Sequence, residues 1–163
     1  MGGMASALLI AVLAAAAPLF AQVGETWWQL APCELCLWQR WPYWAAAGLA
    51  ALAVAVPGRG RAALLGLAGV AALVSGGIGA FHLGVEQGWW PSPLAGCAVP
   101  SASVLGGPVE DLLRGLPAAP TKPCDVPAFL IPGLPLSMAA MNIIYAAGLG
   151  ALALIMARRG AQA

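Results

Sequence analysis

Four apolar stretches, each about as long as a lipid bilayer is thick, limit what this chain can fold into. They cover about residues 5 to 23, 38 to 56, 62 to 83 and 137 to 157. A helix rising 1.5 Å per residue needs ~20 residues to cross ~30 Å of hydrocarbon, and all four stretches are close to that length. Lipid offers no partners to a bare backbone, so segments this apolar must close their own hydrogen bonds as helices or as a barrel. The alternating ten-residue pattern of a membrane barrel is absent. The sequence therefore predicts an all-α membrane protein, a four-transmembrane-helix bundle built as a single domain over residues 1–163. Composition agrees: 61% of residues are hydrophobic and 8% charged, with a mean hydropathy of +0.86, whereas soluble domains carry roughly a quarter charged residues. Seven basic and six acidic residues provide no basic surface, which sets nucleic-acid binding aside.

The first stretch resembles a cleaved signal peptide in being N-terminal and alanine-rich. No Lys or Arg precedes it, however, and it exceeds the 7 to 15 residues of an ordinary signal core, so it is expected to stay as the first transmembrane helix. Arg59 and Arg61 fall between the second and third stretches, and Arg158 and Arg159 directly follow the fourth. Basic residues in short loops mark the cytoplasmic side. Both termini are then expected inside, with loops of about residues 24–37 and 84–136 outside. All seven tryptophans, Trp27, Trp28, Trp38, Trp41, Trp44, Trp89 and Trp90, lie near the outer ends of the spans, as rings that favour the headgroup level should. The second loop holds ten of the fourteen prolines and is expected to be irregular, with Val109 to Leu116 its one candidate for a short amphipathic helix.

All four cysteines fall on the outer side. Cys33 and Cys36 form a C-x-x-C pair, while Cys97 and Cys124 are widely spaced in the second loop. Three readings compete. Four thiolates can hold zinc, but structural zinc sites usually show two short knuckles, and here the second pair is spread over a proline-rich loop. Two inert disulfides are possible, yet a C-x-x-C bridge closes too small a loop to stabilise a fold much. Redox exchange is the chemistry that this spacing most often serves, and an oxidising exterior suits it.

The second span gives that chemistry a setting. Residues 41 to 56 alone would extend only ~24 Å, so the helix is expected to begin nearer Cys36 or even Pro32. A thiol in a first helical turn has its thiolate favoured by free N–H groups. Arg40 then lies one turn beyond Cys36 on the same face. It is either a snorkelling anchor or a cation that stabilises a thiolate and binds the carbonyl of a lipid-soluble acceptor. His82, the only histidine, is expected at the outer end of the third span, as an interfacial residue or as a source of polar contacts or a proton.

Taken together, PCELCLWQR after the first span, FHLGVEQGWWPSPLAGC after the third and PCDVPAFLIPGLPLSMAAMNIIYA leading into the fourth resemble the disulfide bond formation protein B (DsbB) family of the bacterial inner membrane. The resemblance covers essentially the whole chain. It implies a thiol:quinone oxidoreductase that re-oxidises a periplasmic DsbA-like thiol oxidase, using ubiquinone or menaquinone and no metal. Cys97 and Cys124 would be the loop disulfide, with Cys97 attacked by the partner. Cys33 and Cys36 would be the quinone-coupled pair, with Cys36 engaging the quinone ring and Cys33 exchanging with Cys124. Arg40 would match the family's quinone-site arginine, and His82 a histidine near it. Two departures stand out: Glu34 sets an acid between the first two cysteines, opposing thiolate formation, and Gln39 is not the residue expected beside Arg40. A vitamin K epoxide reductase-like enzyme shares the bundle and the C-x-x-C logic but usually carries that pair on a late helix. A disulfide-stapled membrane scaffold is the non-enzymatic alternative.

Overall fold

A computed structural model describes residues 2–92, 94, 122–131 and 133–162. Cys97 and the Val109 to Leu116 segment lie outside the described residues. Five helices are present among those residues: α1 (Gly3–Trp27), α2 (Glu34–Trp38), α3 (Arg40–Ala55), α4 (Gly58–Glu86) and α5 (Met138–Gln162). Apart from an isolated bridge between Phe129 and Ser137, the described residues contain no β-structure. The three long helices α1, α4 and α5 are each long and apolar enough to cross a membrane. The 16-residue α3 would extend only ~24 Å alone.

The stretch expected as one span from residue 38 is divided at Gln39, between α2 and α3. Pro42 supplies the physical reason: it has no N–H for the carbonyl of Trp38, and its ring crowds that carbonyl. The break is slight, because Gln39 keeps right-handed helical angles (φ −64°, ψ −19°) and its N–H still reaches the Leu35 carbonyl at 3.2 Å. The turn between α3 and α4 is also tighter than the sequence suggests. Arg59 and Arg61 lie inside the first turn of α4, and Arg61 Nε donates back to the Ala53 carbonyl at 3.0 Å.

Small residues at helical spacing draw the helices together. Ala7, Ile10 and Ala14 of α1, Ala46, Ala50 and Ala53 of α3, Leu65, Ala68 and Ala72 of α4, and Ala146, Leu149 and Ala153 of α5 form one buried cluster. Large side chains such as Val12, Leu52, Val70 and Ile144 point outward and are exposed. This arrangement suits a lipid solvent, where close backbone approach holds helices together better than apolar burial does. The backbones of α4 and α5 approach closely, and a Cβ built on Gly69 would lie 3.1 Å from the Gly150 carbonyl. At one end of the bundle, the segment around Cys124 closes over the helix ends. There Lys122 N–H donates to the Pro32 carbonyl at 3.3 Å and Met138 N–H to the Ala128 carbonyl at 2.8 Å.

Candidate functional site

Cys33 begins the site because it caps a helix. It stands in extended conformation before α2, and its sulfur accepts the Cys36 N–H at 3.2 Å. Cys36 therefore sits in the first turn. The two cysteines are joined as a disulfide with their Cα atoms 5.1 Å apart. Cys33 is buried, whereas Cys36 is partly exposed. Cys124 is fully buried and packs into the same small cluster as Cys33, Leu35 and Val85. No cysteine among the described residues is a free thiol.

His82, near the end of α4, stands against Cys33. Its Nε2 lies 3.5 Å from Cys33 Sγ, 3.2 Å from the Cys124 carbonyl oxygen and 3.7 Å from Glu86 Oε1. The ring thus stands between the first cysteine of one pair and the second cysteine of the other. Glu86, one turn along the same helix, is buried, and its Oε2 has no hydrogen-bond partner. Lys122 faces Glu86 from the segment before Cys124. Burial lowers its ammonium below the ordinary lysine range, and the Glu86 carboxylate partly offsets that shift.

Arg40 opens α3 and reaches across to α1, where its Nη2 donates to Glu25 Oε1 in an ion pair. Its Nε is buried without a partner. A guanidinium offers five donors, so the Glu25 pair leaves others to spend on a bound group. Arg40, Cys36 and His82 all line one cavity of about 430 Å³, whose remaining wall comes largely from apolar residues of α1 and α5 such as Ala17 and Met141. An apolar cleft with a few convergent polar groups is the usual form of a site for a mostly apolar ligand.

Along the cavity wall runs a largely buried chain of polar groups, of which Tyr43, Ser75 and Asn142 were not singled out from the sequence. Tyr43 hydroxyl donates to Asn142 Oδ1 at 2.8 Å, and Asn142 Nδ2 donates to Gln39 Oε1 at 2.7 Å and to the Ser75 carbonyl at 3.1 Å. Ser75 hydroxyl donates to the Gln39 carbonyl at 2.7 Å, and Gln39 Nε2 lies 3.0 Å from His82 Nδ1. This chain ties α3, α4 and α5 to the histidine. Ser75 and Asn142 were detectable as polar residues inside apolar spans, which are costly unless partnered. Glu25 and Glu86 had no such signal, since both lie at span ends where acids are ordinary.

Cys33, Cys36 and His82 bring possible ligand atoms within 4.8 Å of one another, compact enough for a metal ion. As a disulfide, though, the two sulfurs are not the thiolates that such binding requires.

Comparison with known families matches residues 4–156 to the family described as disulfide bond formation protein DsbB. The chain belongs to that family, and with it to the disulfide-generating oxidoreductases of membranes. No curated protein and no solved structure matches the chain.

Proposed function

From membership in the DsbB family, we propose that this chain is a thiol:quinone oxidoreductase of the bacterial inner membrane that re-oxidises a periplasmic DsbA-like dithiol protein. Electrons enter at Cys97 and Cys124, pass to Cys33 and Cys36, and leave to ubiquinone or menaquinone. One observation carries this reading: a C-x-x-C disulfide opens onto an apolar cavity that also presents Arg40 and His82. The cavity suits the head of a lipid-soluble quinone, and the unpartnered Arg40 Nε supplies a donor for a carbonyl. A bound quinone takes up the two electrons and two protons released when a dithiol becomes a disulfide. Re-oxidising a strongly oxidising partner requires such an acceptor, because an ordinary structural disulfide lies too low in potential.

The chain's own residues take distinct parts. Partly exposed Cys36 lines the cavity, Arg40 holds a carbonyl and favours charge as it develops there, and the apolar walls keep water out. Cys33 shares a buried cluster with Cys124, which supports exchange between them. We assign α2 and α3 together as the fourth membrane span. Both termini are cytoplasmic and the cysteines periplasmic.

Purified protein supplied with reduced partner should consume quinone, followed by the change in ultraviolet absorbance. Cys33→Ser and Cys97→Ser should each abolish turnover. Full turnover in either variant, or none in the wild type with either quinone class, would defeat the proposal.

A further inference from the structure

His82 is the only histidine in the chain, it is buried, and each of its ring nitrogens faces a group whose hydrogen-bonding sense is fixed. On the Nδ1 side stands the Gln39 amide nitrogen at 3.0 Å. That amide cannot turn over. The same nitrogen donates to the Leu35 carbonyl at 3.1 Å, while the amide oxygen accepts from Asn142 Nδ2. Asn142 is held in turn, because its nitrogen donates to the Ser75 carbonyl and its oxygen accepts from the Tyr43 hydroxyl. Carbonyl oxygens only accept, so reversing either amide would set oxygen against oxygen in a buried site, where each unmade bond costs most. Nδ1 must therefore accept, and it carries no proton. On the other side Nε2 meets the Cys124 carbonyl oxygen at 3.2 Å, and that atom also can only accept. Glu86 Oε1 lies beyond it at 3.7 Å. Both ends of the ring give the same tautomer.

We infer that Gln39 locks His82 in the neutral Nε2–H tautomer, so that the ring presents a fixed hydrogen-bond donor, and no lone pair, to the sulfur of Cys33. Gln39 is thus a positioning residue that acts through His82. A donor aimed at sulfur favours the thiolate over the thiol, and a ring without a lone pair on that side cannot act as the base for Cys33. The same donor joins the Cys124 backbone to Cys33, holding the two exchange partners in register. Among the described residues, the charged groups that act on the ring are Glu86 on its own helix and Lys122 on the segment before Cys124. The negative charge of Glu86, 3.7 Å from Nε2 and beyond hydrogen-bond reach, favours a proton on that nitrogen. The tautomer stands on hydrogen-bond geometry alone, and only its effect on Cys33 rests on the thiol chemistry proposed above.

With a single histidine, the test can be direct. Protein labelled with nitrogen-15 at histidine alone, in lipid nanodiscs, should show an unprotonated, pyridine-like Nδ1 and a protonated, pyrrole-like Nε2. A protonated Nδ1 in the wild type would overturn the inference. Gln39→Glu replaces the donor with a group that can only accept, so Nδ1 should gain a proton. An Nδ1 that stays unprotonated would show that Gln39 does not set the tautomer. A second measurement uses protein in which Cys33 is the only cysteine. Gln39→Met should slow its alkylation at neutral pH roughly tenfold, the effect of losing one oriented bond to a charged sulfur. An unchanged rate would remove the donor role, while the nitrogen spectrum reports the tautomer independently of any activity.

Discussion

Arg40 illustrates how a residue read from spacing gains meaning from its neighbours. The sequence places it four residues after Cys36, and both side chains line the same cavity. Its ion pair with Glu25 was not legible, because the partner lies on α1 and no local pattern joins residues fifteen apart on different helices. The pair holds the guanidinium between α1 and α3 with donors to spare. Arg40→Ala should therefore weaken quinone affinity or turnover by roughly 10- to 150-fold, the equivalent of ~1.5 to 3 kcal/mol for one charge-assisted bond. Arg40→Lys should recover only part, since an ammonium keeps the charge without the planar fork. A quinone titration of steady-state rates, run beside a stoichiometric thiol-exchange assay, checks this. Unchanged quinone kinetics in a folded Arg40→Ala protein would reduce the residue to a membrane anchor. Gln39 shows the opposite case. The sequence marks it only as a departure from the family, yet its side chain links His82 to Asn142, a residue 103 positions away.

At the scale of elements, the apolar stretches were readable because length and hydropathy are local properties. The interruption at Gln39 was readable only in part: Pro42 announces a disturbed first turn, but not that helical angles persist through it. Packing between helices was least readable, since alanine and glycine are common throughout every span. The contact of α4 with α5 depends on particular glycines. At Gly69 an added Cβ would meet the Gly150 carbonyl and Leu154 at 3.1 Å, whereas at Gly148 it would meet nothing within 4 Å. Gly69→Val should consequently cost ~1 to 3 kcal/mol through overpacking. Gly148→Ala, one helical turn or less from the contact, should be neutral or stabilising by up to ~1 kcal/mol, because alanine favours helix. Thermal unfolding of both variants in the same detergent makes the comparison. Equal midpoints would show that the helices do not meet through Gly69.

At the scale of the whole molecule, four basic residues and three of the cysteines lie at opposite ends of the helices, which supports the proposed orientation. Arg59, Arg61, Arg158 and Arg159 gather at one end of the helices, and the Cys33–Cys36 disulfide with Cys124 occupies the other. A membrane-impermeant thiol reagent applied to reduced spheroplasts should label Cys97 without lysis, and labelling of Cys97 that requires lysis would reverse the orientation. Sequence motifs single out the cysteines as candidates, and the structure brings Cys33, Cys36 and Cys124 to one place. They did not anticipate that His82 would stand against Cys33, since its depth relative to the loops depends on how α4 ends. The central claim is that the Cys33–Cys36 pair itself hands electrons to quinone, and it can be isolated from the partner. In a Cys97→Ser/Cys124→Ser protein, the remaining pair is reduced, freed of reductant and mixed anaerobically with quinone. One quinol should form per protein as two thiols disappear and the disulfide returns. Quinone left unreduced by the intact dithiol, or quinol formed while both thiols persist, would contradict it.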